Sequence, residues 1–375
     1  MDNVGLNETL SVGQRKFYFE TDFVEEEGQI ITHVYEDGML LVTRGKPLPK
    51  ELSNGELEAE LKELHRETVR TFERLFYLQK KVWTKKHAPS YNKMGVVFLS
   101  KNLYDDAIRN FQEALAIDEN LSGAWRNLIL AYIKSQRFDE ALRALEKVPQ
   151  PNTEFPDFLN LKGMALLGKK NFLDSVQVFE QALTENENYA LAHLNLGLAY
   201  LTSLVEAPLN PQLLSAEERK SRCLRHLQRA KPILTASQNR ELSYILEQIE
   251  KSQTREALDN LLEIHKEVAF PLKSILENEF YLNYMFGGRN KDELAVEQYI
   301  ENLKKEIAVH PKYPDLHNHL GVAYLIQCRN LFLRALDEFR RAIRLNPTYT
   351  RAQKNLKLAE NEGKGLLILL RALLK

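Results

Sequence analysis

The chain has 375 residues, with 51 Lys and Arg against 52 Asp and Glu, so no global field draws it to nucleic acid or to a membrane surface. Its two cysteines, Cys223 and Cys328, are too few and too far apart for a disulfide framework or a thiolate metal site. No run approaches the roughly 18 consecutive apolar residues of a spanning helix, and Met1 to Leu10 lacks the basic start and apolar centre of a secretory signal. The expectation is a soluble, cytoplasmic protein.

Charge is uneven along the chain. Residues 1–60 carry 13 acids and 5 bases, residues 61–87 carry 3 and 8, and residues 329–375 carry 4 and 11. In the acidic region, Lys16 to Asp22, Gln29 to Tyr35 and Met39 to Arg44 are short runs rich in aromatic and β-branched residues. They read as three antiparallel strands within a module spanning 13–50, and Asp37-Gly38 supplies the positive φ angles of a tight hairpin turn. So small a meander needs a cover. Residues 51–87 provide one: Ser53 and Glu56 have capping-box spacing, and Leu57, Leu61, Leu64, Thr68, Phe72, Leu75, Phe76 and Val82 form an apolar helical stripe. Lys62, Arg66, Arg70 and Arg74 recur at four-residue steps on another face, as either a solvated face or a dock for an acidic partner.

From residue 88 to 233 the chain repeats on a 34-residue ruler. Gly95, Gly163 and Gly197 keep the step, as do Phe98, Tyr132, Leu166 and Tyr200, then Ala107, Ala141 and Ser175, and Phe111, Leu145 and Phe179. Units of this length are helical hairpins that bury their apolar faces only by stacking on neighbours. The first reads Tyr91, Met94, Gly95, Phe98, Ala107, Phe111, Ala114, and on this pattern the chain resembles a tetratricopeptide repeat (TPR) protein. In the fourth unit the second helix, with Cys223, Leu227 and Ala230, arrives 14 residues late, so an insertion is expected at 203–218, broken by Pro208 and Pro211. Residues 234–312 read as irregular helical pairs, with Gly287 and Gly288 in an interhelical turn and Pro311 closing a degraded second helix. In 313–362 the signature returns as Leu320, Gly321, Tyr324, Ala335, Phe339, Ala342 and Pro347, with two extra residues between helices. A last apolar helix at 363–375, Leu366 to Leu374, is expected to be cut off by Gly363 and Gly365. The fold class is thus mostly α: a right-handed TPR-type α-solenoid behind a small three-stranded β module. The pattern from Phe17 to Val42 loosely resembles short meanders that precede such arrays in bacterial proteins.

The resemblance implies a concave surface made by the first helix of each repeat. Its residues would be Asn92, Arg126, Asn160, Leu194 and Asn318 at one repeat position, Asn127 and Asn195 beside them, and Val96, Leu130, Met164, Leu198 and Val322 one turn on. Leu99, Ile133, Leu167, Leu201 and Leu325 widen the apolar line, which suits an amphipathic helix or peptide. The carboxylate clamp known in the family is not matched: Asn92, Val96, Asn127, Asp157 and Leu161 stand at its positions, and none of them is a cation. An open apolar trough calls for a cover, from a partner, from the helix at 53–85 or from the C-terminal run. That run is read as internal packing, self-association or membrane-surface contact.

No catalytic, cofactor or metal constellation is visible. There is no G-x-S-x-G, H-E-x-x-H or dinucleotide fingerprint, and Gly287-Gly288-Arg289-Asn290-Lys291 lacks phosphate-loop spacing. His317 and His319 are two apart on a helix and diverge. The functional expectation is a non-catalytic protein–protein interaction scaffold, with a possible homo-oligomer through the Leu-rich terminus. The alternatives are a divergent ligand-binding or catalytic protein built from the N-terminal module and the irregular middle, and RNA binding by the basic helix, which lacks aromatic platforms.

Overall fold

In the N-terminal region four strands form, not three. β1 (Leu6–Val12), β2 (Arg15–Val24), β3 (Gln29–Glu36) and β4 (Met39–Pro47) make an antiparallel meander in the order β1-β2-β3-β4. The module therefore begins before residue 13. The missed strand is an edge strand of mostly exposed residues whose extended form follows from pairing, with Leu6 opposite Thr21 and Val12 opposite Arg15. The expected Asp37-Gly38 turn is present, with φ of 49° and 80° and Glu36 paired to Met39.

Alternation sends Phe17, Phe19, Ile30 and Val34 to one face, where all are fully buried under α1 (Asn54–Trp83). Phe17 meets Phe72 and Phe76, and Phe19 meets Phe72 edge-on. The capping box at Ser53 and Glu56 starts this helix. On its basic stripe, Lys62 pairs with Glu58 within the helix, while Arg66 and Arg70 are exposed.

The computed structural model describes residues 5–49, 53–149, 155–268, 272–287, 289–309 and 314–373. Met1 to Val4, Gly288, Pro311, Leu374 and Lys375 lie outside them, and so do the side chains of the Leu366–Leu373 run. Two compact units result, residues 1–275 and 276–375.

In the first unit, α1 is followed by hairpins α2 (Ala88–Ser100) with α3 (Tyr104–Ile117), α4 (Ser122–Lys134) with α5 (Phe138–Glu146), α6 (Pro156–Gly168) with α7 (Phe172–Glu185), and α8 (Ala190–Glu206) with α9 (Ala216–Arg229). The first three turns, like that of a fifth hairpin, contain a residue at positive φ: Asn102, Gln136, Lys170 and Ser252. The ruler's meaning is steric. A Cβ on Gly95 would lie 2.5 Å from the Phe111 ring, one on Gly163 2.5 Å from the Phe179 ring, and one on Gly197 2.5 Å from the Leu227 side chain. The small residue one step on is held too, as the Ser175 hydroxyl donates to the Gly163 carbonyl (3.0 Å) and the Cys223 thiol to that of Gly197 (3.3 Å).

The insertion occupies 207–215, because α8 runs on to Glu206. Arg219, only 2 % exposed, holds it by donating to the carbonyls of Ser203 (2.7 Å), Ala207 (3.2 Å) and Pro208 (2.7 Å) at and just beyond the end of α8. A 3-10 turn (Lys231–Ile233) leads to the fifth hairpin, α10 (Ala236–Glu250) with α11 (Thr254–Val268).

The second unit departs from expectation. After α12 (Leu272–Phe286) and α13 (Arg289–Val309), the expected C-terminal repeat is one helix, α14 (Pro314–Leu345), followed by α15 (Thr350–Leu373). Between Gly321 and Leu345 there is no Gly, no Pro and no residue at positive φ to stop a helix. A Cβ on Gly321 meets nothing within 4 Å. Nor do Gly363 and Gly365 cut off a terminal helix, since α15 runs through both; about 1 kcal/mol per glycine does not break 24 residues.

Candidate peptide-binding groove

The N-terminal module sits against the outer parts of the first hairpin. Arg15 donates to Glu36 (2.9 Å) and to Asp106 on α3 (2.6 Å), and Asn102 donates to the Leu41 carbonyl (2.6 Å). The Trp83 indole donates to Asn110 (3.2 Å), Arg109 covers the Trp83 ring at 4.3 Å, and Phe76 meets Phe98. None of these contacts uses Asn92 or Val96, so α1 ends the stack and does not fill the trough.

Along the trough, the first helices are tied to one another by amides. Asn127 donates to Asn92 across the first and second repeats (2.9 Å), and Asn195 donates to Asn160 across the third and fourth (2.8 Å). Arg126 lies 3.5 Å from Asp157 across the second and third. These residues were legible as groove positions, but their mutual bonding was not, because the 35-residue separation of each amide pair is one more than the repeat.

Val96, Leu130 and Met164 are half-buried and continue one apolar line, with Asn92, Arg126 and Asn127 at its side. Beside it Lys134 is half-buried, and desolvation lowers its ammonium pKa to about 8. The fourth repeat differs. Leu194, Asn195 and Leu198 are buried beneath α11, which packs on α8 where a further first helix would lie, and Asn160 of the third repeat is buried beside them. His265 of α11 bonds Asn195 Oδ1 at 2.6 Å. That oxygen only accepts, so His265 Nε2 carries the proton and donates. Burial drives the His265 pKa down to about 4, and the ring is neutral at pH 7. Over the fourth repeat the cover is α11, whose signature had decayed, and not the helix at 54–83. Asn318 and Val322 leave the set altogether: they lie on α14, Asn318 exposed and Val322 against that unit's own core.

Two other polar clusters are structural. Thr21 bonds Thr32 (2.8 Å) and His65 Nδ1 (2.9 Å), and His65 Nε2 lies 3.4 Å from Glu8. The order resembles a nucleophile, base and acid, yet Thr21 is 0 % exposed between sheet and helix, where no substrate reaches it. His193 and His226 stack with their Nδ1 atoms 2.9 Å apart, and burial, then His193, lowers the His226 pKa to about 4. A cavity of about 410 Å³ is lined by Glu217, Lys220, Leu224 and Arg225, all on α9, and by no groove residue.

Sequence models of the tetratricopeptide repeat match residues 98–165 and 160–209. With the stacked hairpins, they identify the chain as a tetratricopeptide-repeat protein over this part of its length. No curated protein matches significantly. Similar solved structures include TTC0263, a thermophilic TPR protein of Thermus thermophilus, at 16 % identity, covering 64 % of this chain and 99 % of that one, with a TM-score of 0.33. PilF of Pseudomonas aeruginosa has 18 % identity, coverage of 62 % and 96 %, and a TM-score of 0.31. YrrB, described as a TPR protein with an unusual peptide-binding site, has 17 %, coverage of 52 % and 96 %, and 0.30. These likenesses are of fold alone. Repeats of this class serve protein–protein interaction, and among the described residues no helix is long and apolar enough to cross a membrane.

Proposed function

We propose that the chain is a non-catalytic interaction scaffold that holds one apolar-sided peptide or short helix along α2, α4 and α6, with α11 as the stop at the far end. The observation that carries this reading is the change in exposure along one row: Val96, Leu130 and Met164 are half-open, while Leu198 is 5 % exposed under α11. A guest then spans about three repeats and meets apolar side chains flanked by the Asn92–Asn127 and Arg126–Asp157 pairs. The burial of Thr21 and His65 supports a structural role for the N-terminal module rather than chemistry there.

The test is a displayed peptide library selected on the intact chain and rescreened on Val96→Glu with Leu130→Glu, circular dichroism showing both proteins folded. Selected peptides are expected to lose at least tenfold in affinity for the double variant. Equal binding to both would remove the groove as the site.

A further inference from the structure

Along α14 one row recurs every three and four residues: exposed Gly321, Tyr324, Cys328, Leu331, Ala335 and Glu338, then half-buried Ala342 and exposed Leu345, with Leu333, Arg334, Asp337, Arg341 and Arg344 exposed beside it. Tyr324 is 45 %, Leu331 55 % and Leu345 81 % exposed. This is a heptad seam roughly 36 Å long. Small residues (Gly, Cys, Ala, Ala) take one seam position and larger ones (Tyr, Leu, Glu, Leu) the other. The faces turned to α13 and α15 are separate, with Leu316, Ala323 and Ile326 buried in the core shared with α13, and Arg340 reaching Glu360 of α15.

We propose that this seam pairs with the same seam of a second copy of the chain, antiparallel, about a two-fold axis at Leu333. An antiparallel partner sets unlike seam positions face to face. Gly321 then meets Leu345, Tyr324 meets Ala342, Cys328 meets Glu338 and Leu331 meets Ala335, each twice, so every layer joins a large side chain to a small one. A parallel partner would lay Glu338 on Glu338 and Tyr324 on Tyr324, leaving a like-charge layer and uneven spacing. Within the first unit this small–large complementarity is satisfied inside the chain, as by Gly95 and Phe111. On α14, a continuous helix, the two halves of the signature cannot reach each other.

Glu338→Cys tests this in the full chain, with Cys328 retained. Within one chain the two thiols are about 15 Å apart along the helix, too far for a disulfide; in the antiparallel pair they face each other. Mild oxidation is expected to give a covalent dimer on a non-reducing gel, and Arg344→Cys, off the seam, is expected to give none. Light scattering of the unmodified chain should report twice the chain mass, falling to one chain in Leu331→Glu with Ala335→Glu at unchanged helicity. Removing residues 364–375 should leave the dimer intact. A single-chain mass at all concentrations, equal cross-linking at position 344, or loss of the dimer on that truncation would each overturn the proposal.

Discussion

The repeats from α2 to α9 and the helix α14 carry the same alternation of small and large residues, and fold it differently. In the first region glycine and aromatic ring close on each other across a turn, with Gly163 and Phe179 so near that no Cβ fits between them. In the second, Gly321 faces open space and Tyr324 is 45 % exposed. The difference lies in the turn, not in the signature. Lys170-Asn171 bends back through a positive φ, whereas Cys328 to Phe332 stays helical through Asn330, the one residue there that tolerates such a turn. A repeat motif therefore specifies which surfaces are complementary, and the turn decides whether the complement comes from the same hairpin.

This contrast is open to attack by paired substitutions, helped by both tryptophans, Trp83 and Trp125, lying in residues 1–275, so that indole fluorescence follows that unit alone. The largest effect is expected at Phe179, which is 0 % exposed: Phe179→Ala should cost about 3–5 kcal/mol in urea unfolding followed by fluorescence. Phe339→Ala should leave that transition unmoved. Next, Gly163→Ala should cost about 1–3 kcal/mol by overpacking the Phe179 ring, while Gly321→Ala should raise the stability of α14 by roughly 0.5–1 kcal/mol, read by far-ultraviolet dichroism. Equal losses at the two glycines would mean that α14 folds as a hairpin.

The buried histidines give a pH signature to the first region only. His265 and His226 are held neutral with pKa values of about 4, against 6.5 for an ordinary histidine. The unfolded chain takes up these protons first as pH falls, so the stability they contribute is complete above pH 6.5 and is lost as pH drops toward 4. The unfolding free energy from fluorescence-detected urea titrations should fall across that window by several kcal/mol, at most about 3 for each ring, and His265→Gln should flatten the slope. A midpoint constant from about pH 7 to about pH 4.5 would place these rings in water. In the groove row, Asn127→Ala should cost about 1 kcal/mol, the worth of one tie between first helices.

The first four hairpins were legible because signature residues have steric partners within the same hairpin, such as Phe111 for Gly95 and Phe179 for Gly163. β1 was not, since Asn7, Glu8 and Thr9 become a strand only by pairing with Phe19, Tyr18 and their neighbours on β2. The row of first-helix residues was legible by position, but not its exposure: over the fourth repeat that depends on α11, where a single histidine reaches Asn195 across 70 residues of sequence. That the C-terminal repeat is a single helix was not legible, because its spacing matches the hairpins and Asn330 offers a turn that the helix does not take.

The contrast is measured most directly as a distance across α14. Spin labels placed by Asn318→Cys and Leu345→Cys, in a Cys328→Ser background diluted into excess unlabelled protein, report on one chain at a time; Cys223 is fully buried. A continuous helix sets the labelled positions about 40 Å apart. A separation below about 20 Å would mean that residues 314–345 close into a hairpin like the other repeats, and would contradict the account.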